Sequence, residues 1–226
     1  MRTRLSLAIA VWAAVLAFAV EPAAMADGVT ARRAPAYEAS IHRLPDGIRD
    51  LMTGSSWRPG CPVALHDLRL VRLRYWGFDD RAHRGRLVVH RAWARGIATT
   101  FGDLYDARFP IRRMRLVDRY GAVDMRSMRA DNTSAFNCRY RGGECCVWSQ
   151  HAYGRAIDIN PVENPWVGSW GVSPPNGAAY ADRSPLRKGM IGRHGVVVDA
   201  FARIGWRWGG TWTSSKDYQH FSANGR

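Results

Sequence analysis

The sequence predicts a single α+β domain, a small antiparallel sheet with flanking helices. Three observations support this. Leu68 to Tyr75 alternates apolar and basic residues, the period of a half-exposed strand. From Arg91 onward, Trp93, Ile97, Phe101, Leu104 and Tyr105 recur at three- and four-residue steps until Pro110, which reads as an amphipathic helix of about four turns. No internal repeat or low-complexity tract interrupts the chain, so one domain is the economical description. A composition of 46% hydrophobic and 23% charged residues over 226 positions excludes a disordered, collagenous or multi-span membrane protein.

The elements follow in chain order. Residues 1–26 read as a secretory leader. Arg2 and Arg4 precede an uncharged apolar run, Leu5 to Val20, and Ala24-Met25-Ala26 has the small-x-small pattern of a cleavage site. Export is therefore expected. Residues 27–60 have little periodicity and read as an N-terminal arm, with the folded domain, 61–226, beginning at Cys61. Leu87-Val88-Val89 and Met114 to Val117 read as further strands, and Ala156 to Ile159 as a central one. Pro161 to Asp182, with prolines and glycines interleaved among Trp166, Trp170 and Tyr180, reads as a long irregular loop, the kind that forms a lid or a binding wall. Val196, Val197, Ala200, Phe201 and Ile204 outline a second helix capped by Gly205. Trp206 to Trp208 and Tyr218 to Phe221 read as closing strands around Gly209-Gly210.

The charge is unusual: 33 Lys+Arg against 19 Asp+Glu, a net +14 in which Lys188 and Lys216 are the only lysines. A basic excess of this size invites a nucleic-acid reading, but an exported chain has no such partner. Anionic cell-wall polymers or a membrane surface become the electrostatic partners instead, over a background that a GC-rich coding sequence would produce unaided. A secreted nuclease remains a rival on charge alone. Cys61, Cys138, Cys145 and Cys146 suit an oxidising exterior and allow three pairings. The pair expected is Cys61–Cys138. A four-thiolate zinc site lacks the spaced ligand pair such sites use.

Two segments carry chemistry. In Ser149-Gln-His151-Ala-Tyr-Gly154-Arg-Ala-Ile-Asp158, a glycine turn leading into a short strand lets His151 and Asp158 converge at one end. In Lys216-Asp217-Tyr-Gln-His220, Asp217 and His220 lie three apart. Two neutral imidazoles and one carboxylate leave Zn2+ a fourth position for water and a centre of about +1 charge, the pattern of a catalytic site. Asp217 is then free to act as the base and later as the acid. His42, His66, His83, His90 and His194 read as packed or surface residues. Trp206 and Trp208 read as core, which leaves Trp212 as the groove candidate.

Taken together, these motifs resemble the zinc D-alanyl-D-alanine carboxypeptidases and L-alanyl-D-glutamate endopeptidases that trim peptidoglycan stem peptides, a family that includes vancomycin-resistance carboxypeptidases and phage endolysins. The signature Ser-x-His-x-x-Gly-x-Ala-x-Asp is met by Ser149, His151, Gly154, Ala156 and Asp158, and the downstream acid-x-x-His by Asp217 and His220. The stretches 132–139, 156–165 and 206–212 are similar to the secreted bacterial branch, and the resemblance covers about residues 60–222. It implies a hedgehog- and DD-peptidase-like fold, zinc ligands His151, Asp158 and His220, and Asp217 as general base. It also implies an arginine that stabilises the oxyanion. Arg119, Arg126 and Arg139 are available, and Arg139, nearest the motif, is the expected one. Ser149 is expected to orient a ligand or to bind substrate, with an ordinary turn serine the other reading. The insertion Arg141 to Cys146 departs from the simplest family pattern. The expected partner is a peptidoglycan stem peptide and the expected state a monomer. The alternative is a secreted wall-binding protein that keeps the metal site without turnover; an intact Asp217 argues against it.

Overall fold

Alternating residues give a strand two faces, and in the computed structural model the strand Leu68–Trp76 buries apolar side chains on both. The model describes residues 34–142 and 146–226; the expected leader and Cys145 lie outside them. Strand β2 (Leu68–Trp76) turns Leu68 and Leu70 toward a cluster with Leu44, Met52, Val63, Val88, Leu116 and Phe136. Its other face, Val71, Leu73 and Tyr75, joins Leu87 and Val89 in the larger core. Burial on both sides explains why Leu70 and Val71 break strict alternation. β2 pairs antiparallel with β1 (Ala39–Arg43) and with β3 (Ala82–His90), in the order β1-β2-β3.

Where an arm was expected over 27–60, the described part supplies β1 and helix α1 (Asp46–Met52), with β1 paired to β2. The physical reason is local. All five β1 residues are exposed, so the strand carries no apolar alternation, and α1 is too short to show a helical period. Backbone pairing and the burial of Leu44 and Met52 hold the segment in place.

Helix α2 (Ala94–Asp106) buries Ala94, Ile97, Phe101, Leu104 and Tyr105 and ends ahead of Pro110. After α3 (Asp124–Arg129) come β4 (Ala156–Asp158), β5 (Trp166–Gly168) and β6 (Gly171–Ser173). Helix α4 (Val196–Arg203) lies on the same core, and Gly205 takes the left-handed conformation (φ +78°) that stops it. Three short strands close the chain: β7 (Arg207–Trp208), β8 (Lys216–Asp217) and β9 (His220–Ser222). They form two small antiparallel sheets, β4-β9-β7 and β6-β5-β8. Phe201 of α4 stacks on Phe221 of β9 with ring centroids 4.3 Å apart, which joins the helical layer to the second sheet.

Two expected elements take other forms. Met114 to Val117 makes a single bridge, Met114 to Thr133, and then a 3-10 turn, Val117–Tyr120. The Asn132 side chain satisfies both the N–H and the carbonyl of Arg115, so no strand partner is needed there. The expected irregular loop at 161–182 contains the β5–β6 hairpin and a 3-10 turn, Pro175–Tyr180. The expected closing strands pair with each other, β7 against β9, and β8 between them joins β5. Trp206 and Trp208 are both buried in the larger core. Cys61 and Cys138 form a disulfide across a Cα separation of 6.0 Å.

Candidate metal centre

Antiparallel register builds most of the site. Asp158 at the end of β4 lies directly opposite His220 at the start of β9. His151 comes from the 3-10 turn Gln150–Tyr153, which begins at Ser149 and ends at Gly154. Ser149 Oγ accepts the His151 backbone N–H at 3.3 Å, so this serine caps the turn that carries the imidazole. Gly154 is required on two grounds. Its φ is +63°, and a Cβ there would meet the backbone nitrogen of His90 at 2.6 Å. That approach allows the His90 N–H to bond the Gly154 carbonyl at 2.8 Å, fastening the His151 turn to β3.

The three side chains are buried, and ligand atoms from all three lie within 4.8 Å of one another. Hydrogen bonds fix which imidazole nitrogen faces inward. His151 Nδ1 lies 2.6 Å from the Ala135 carbonyl, and a carbonyl only accepts, so Nδ1 carries a hydrogen and Nε2 is the nitrogen turned inward. It faces Asp158 Oδ2 at 3.1 Å. His220 is arranged in mirror fashion. Its Nε2 donates to the main-chain oxygen of Arg226 at 3.2 Å, and its Nδ1 faces Asp158 Oδ1 at 2.9 Å.

In their neutral form the two rings aim lone pairs at one carboxylate, an arrangement that a cation among them would stabilise. The distances suit such an ion, since ligand bonds of about 2.0–2.1 Å in a tetrahedral set hold ligand atoms about 3.3 Å apart. The cluster is therefore able to hold a metal ion. Its electrostatics agree. Burial alone would raise the Asp158 carboxyl, but His151 and then His220 outweigh it and hold the group well below the usual carboxylate range. Burial alone would lower His151, and Asp158 reverses that.

Asp217 is on β8, opposite Trp166 of β5. It is half-buried as a residue, yet its Oδ1 is closed off from solvent and has no hydrogen-bond partner. Burial pushes its carboxyl up to about 7; His220 and Arg139 pull it down, and Asp158 and Asp124 add to the rise. A carboxyl with these neighbours can take or release a proton near neutrality.

Of the three candidate arginines, Arg139 is the one whose charge weighs on both His151 and Asp217. Asp124 of α3 holds its guanidinium at 2.7 Å, and its Nε is buried without a partner. Arg119 is exposed, and Arg126 lies beside Gly121 in the α3 region. Trp212 is half-buried, its ring centroid 5.6 Å from that of His220 and its indole N–H bonded to the Gly225 carbonyl at 2.8 Å. Sequence reasoning missed the Ala135 carbonyl, the main-chain oxygen of Arg226 and Asp124. A backbone acceptor leaves no trace in residue type, and Asp124 lies outside both motifs.

Residues 143–223 match a family model described as D-alanyl-D-alanine carboxypeptidase. No curated protein and no solved structure matches the chain. The matched stretch contains His151, Asp158, Asp217 and His220, and over it the chain is similar to D-alanyl-D-alanine carboxypeptidases, which supports a peptidase of peptidoglycan type.

Proposed function

We propose that the chain is an exported zinc peptidase that hydrolyses peptide bonds in peptidoglycan stem peptides, as a D,D-carboxypeptidase or an L-Ala-D-Glu endopeptidase. The observation that carries this is the pair of inward imidazole nitrogens converging on Asp158, with the carboxyl of Asp217, its Oδ1 closed off from solvent, close enough to feel His220 and Asp158. A zinc ion held by His151, Asp158 and His220 would supply the Lewis acidity that activates water and polarises the scissile carbonyl. Asp217 takes the proton of the attacking water and returns it to the departing amine nitrogen, so that it ends the cycle as it began. Arg139, held by Asp124, is the group assigned to the developing oxyanion. Trp212 beside His220 and the exposed Trp170 of the β5–β6 hairpin supply flat apolar walls for the peptide.

The arginine excess fits an anionic wall polymer. On one face of the first sheet, Arg72 lies opposite Arg86 and Arg74 opposite Arg84. Glu38 bonds Arg74 at 2.9 Å and lies 3.8 Å from Arg84. Like charges opposed across strands are unfavourable, and a bound polyanion relieves them. Weaker retention of the double variant Arg72→Gln/Arg86→Gln on purified anionic wall polymer checks this; unchanged retention removes it.

Digestion of purified peptidoglycan by the zinc-loaded protein, with fragments identified by mass spectrometry, tests the activity. Free D-alanine marks a carboxypeptidase, and a new D-glutamate amino terminus marks the endopeptidase. Release of neither overturns the proposal.

A further inference from the structure

Metal-binding histidines are oriented by what their outer nitrogen touches, and the two histidines of this site differ in that respect. His151 is served from inside the fold, by the carbonyl of Ala135, which is 4% exposed. His220 is served by a segment that follows its own strand. Beyond Ser222 the chain turns back, and the main-chain oxygen of Arg226 accepts from His220 Nε2 at 3.2 Å and from Ser222 Oγ at 2.9 Å. The turn is closed by the Gly225 N–H to the Ser222 carbonyl at 3.3 Å and by the Arg226 N–H to Asn224 Oδ1 at 3.1 Å. Two further bonds tie it outward. The Ala223 N–H donates to the Arg155 carbonyl at 3.1 Å, and Trp212 Nε1 donates to the Gly225 carbonyl at 2.8 Å. Gly225 has φ +76°, and a Cβ there would meet Arg207 Cδ at 2.8 Å, so this position takes glycine.

We infer that residues 223–226 form a clamp on the metal centre that orients the His220 ring through the main-chain oxygen of Arg226 and sets Trp212 beside it. The Ser222 hydroxyl, fully buried, donates to that oxygen from below while the imidazole meets it from the site. With its outer N–H held, the His220 ring keeps Nδ1 on Asp158, and the hydrogen bond it donates raises the basicity of the inward nitrogen. Without the clamp, water takes the place of that oxygen and the ring is free to rotate off the carboxylate. Ser222 and Asn224 are positioning residues in this scheme; neither touches the ion.

The inference rests on the proposed zinc site, and the test separates the two. Zinc affinity is measured by competition with a chromophoric chelator for the natural chain, for a chain lacking 223–226, and for Ser222→Ala/Asn224→Ala, which loosens the turn without shortening it. Loss of a partner to a metal-bound imidazole is expected to weaken zinc about 10- to 100-fold in the shortened chain, with a smaller loss in the double variant. The melting temperature of the metal-free protein should hardly move, because a purely structural role would lower that temperature and not the affinity selectively. In the zinc-loaded natural chain, nitrogen-15 spectra should show His220 protonated at Nε2. Natural affinity in the shortened, folded chain overturns the clamp and leaves the zinc reading intact; if that chain does not fold, natural affinity in the double variant overturns it on the same criterion. Absence of zinc binding by the natural chain overturns both.

Discussion

The β1-β2-β3 sheet and the β4-β9-β7 sheet are antiparallel and three-stranded alike and share the larger core, yet they differ in length and in what holds the chain around them. In the first, β2 and β3 are nine residues each and bury apolar side chains on both faces. In the second, no strand exceeds three residues, and the surrounding chain is held by buried amides. Asn132 bonds both backbone groups of Arg115. Asn160 accepts the Arg112 N–H at 3.0 Å and donates to the Pro110 carbonyl at 2.8 Å. Asn164 reaches the Gly189 carbonyl at 2.9 Å and accepts the Ile191 N–H at 2.7 Å. Long apolar strands make a scaffold that tolerates little inside it. Short strands tied by amides let three polar ligands lie together at one strand end, where a continuous apolar ladder would leave no room for them.

The largest expected effect belongs to the site side. Asp217→Asn should lower turnover by about 10²- to 10⁴-fold, the usual contribution of a positioned base, while zinc content stays at one ion per chain by elemental analysis. Turnover within a few-fold of the natural enzyme would remove Asp217 from the proton-transfer role. On the scaffold side, Leu70→Ala should destabilise the fold by about 3–5 kcal/mol, read by urea denaturation, because Leu70 is fully buried between strands that cannot collapse onto the space. Zinc affinity of the folded fraction should be unchanged. A matching loss of affinity would show that the Leu68–Leu70 side of the first sheet is coupled to the ligands through the shared core.

Asn160→Ala sits between those extremes. Asn160 is fully buried, two residues past the ligand Asp158, and adopts φ +44°, which asparagine tolerates better than alanine. Its loss leaves the Arg112 N–H and the Pro110 carbonyl unsatisfied, at about 1–3 kcal/mol each. Stability and zinc affinity should fall together here, in contrast to Leu70→Ala. A fall in stability alone would mean that the amide network supports the fold without positioning the ligand.

What could be read from residue order follows the same division. The α2 helix and β2 were legible because long apolar faces impose a period, and His151, Asp158, Asp217 and His220 because their spacing is a chemical pattern. β1 was not, since a strand with every residue exposed is held only by its backbone partner. The β5–β6 hairpin was not, since strands of three residues are too short to alternate. The asparagine network was not, because an amide that replaces a strand partner looks the same in sequence as one on a surface. The tie between Arg139 and Asp124 was not legible either, because it joins α3 to a residue outside it and required the fold.

The smallest effect concerns a second buried acid, Asp131, which lies in the amide-held half. Its Oδ1 accepts the Val162 N–H at 2.9 Å, and Arg112 Nε is 3.5 Å from its Oδ2. Arg112 also bonds Glu163 Oε1 at 3.1 Å, while Glu163 Oε2 is buried without a partner. Burial, and then the neighbouring Glu163, push the Asp131 carboxyl up to about 8. An unfolded aspartate titrates near about 3.9. Between those values the native state holds a proton that the unfolded state has released. The contribution of Asp131 to stability is therefore full below about pH 4 and is lost as the pH rises toward about 8. Asparagine has the shape of the protonated acid: its carbonyl can keep the Val162 bond and its amide can donate to Glu163. Urea denaturation of Asp131→Asn at pH 5 and pH 8 should show little dependence on pH, with the variant the more stable at pH 8. Equal slopes in the variant and the natural chain would place the proton elsewhere. Because residues 160–164 lead directly from β4 into this acid pair, loss of the proton should loosen the segment behind Asp158 before it reaches the β1-β2-β3 sheet.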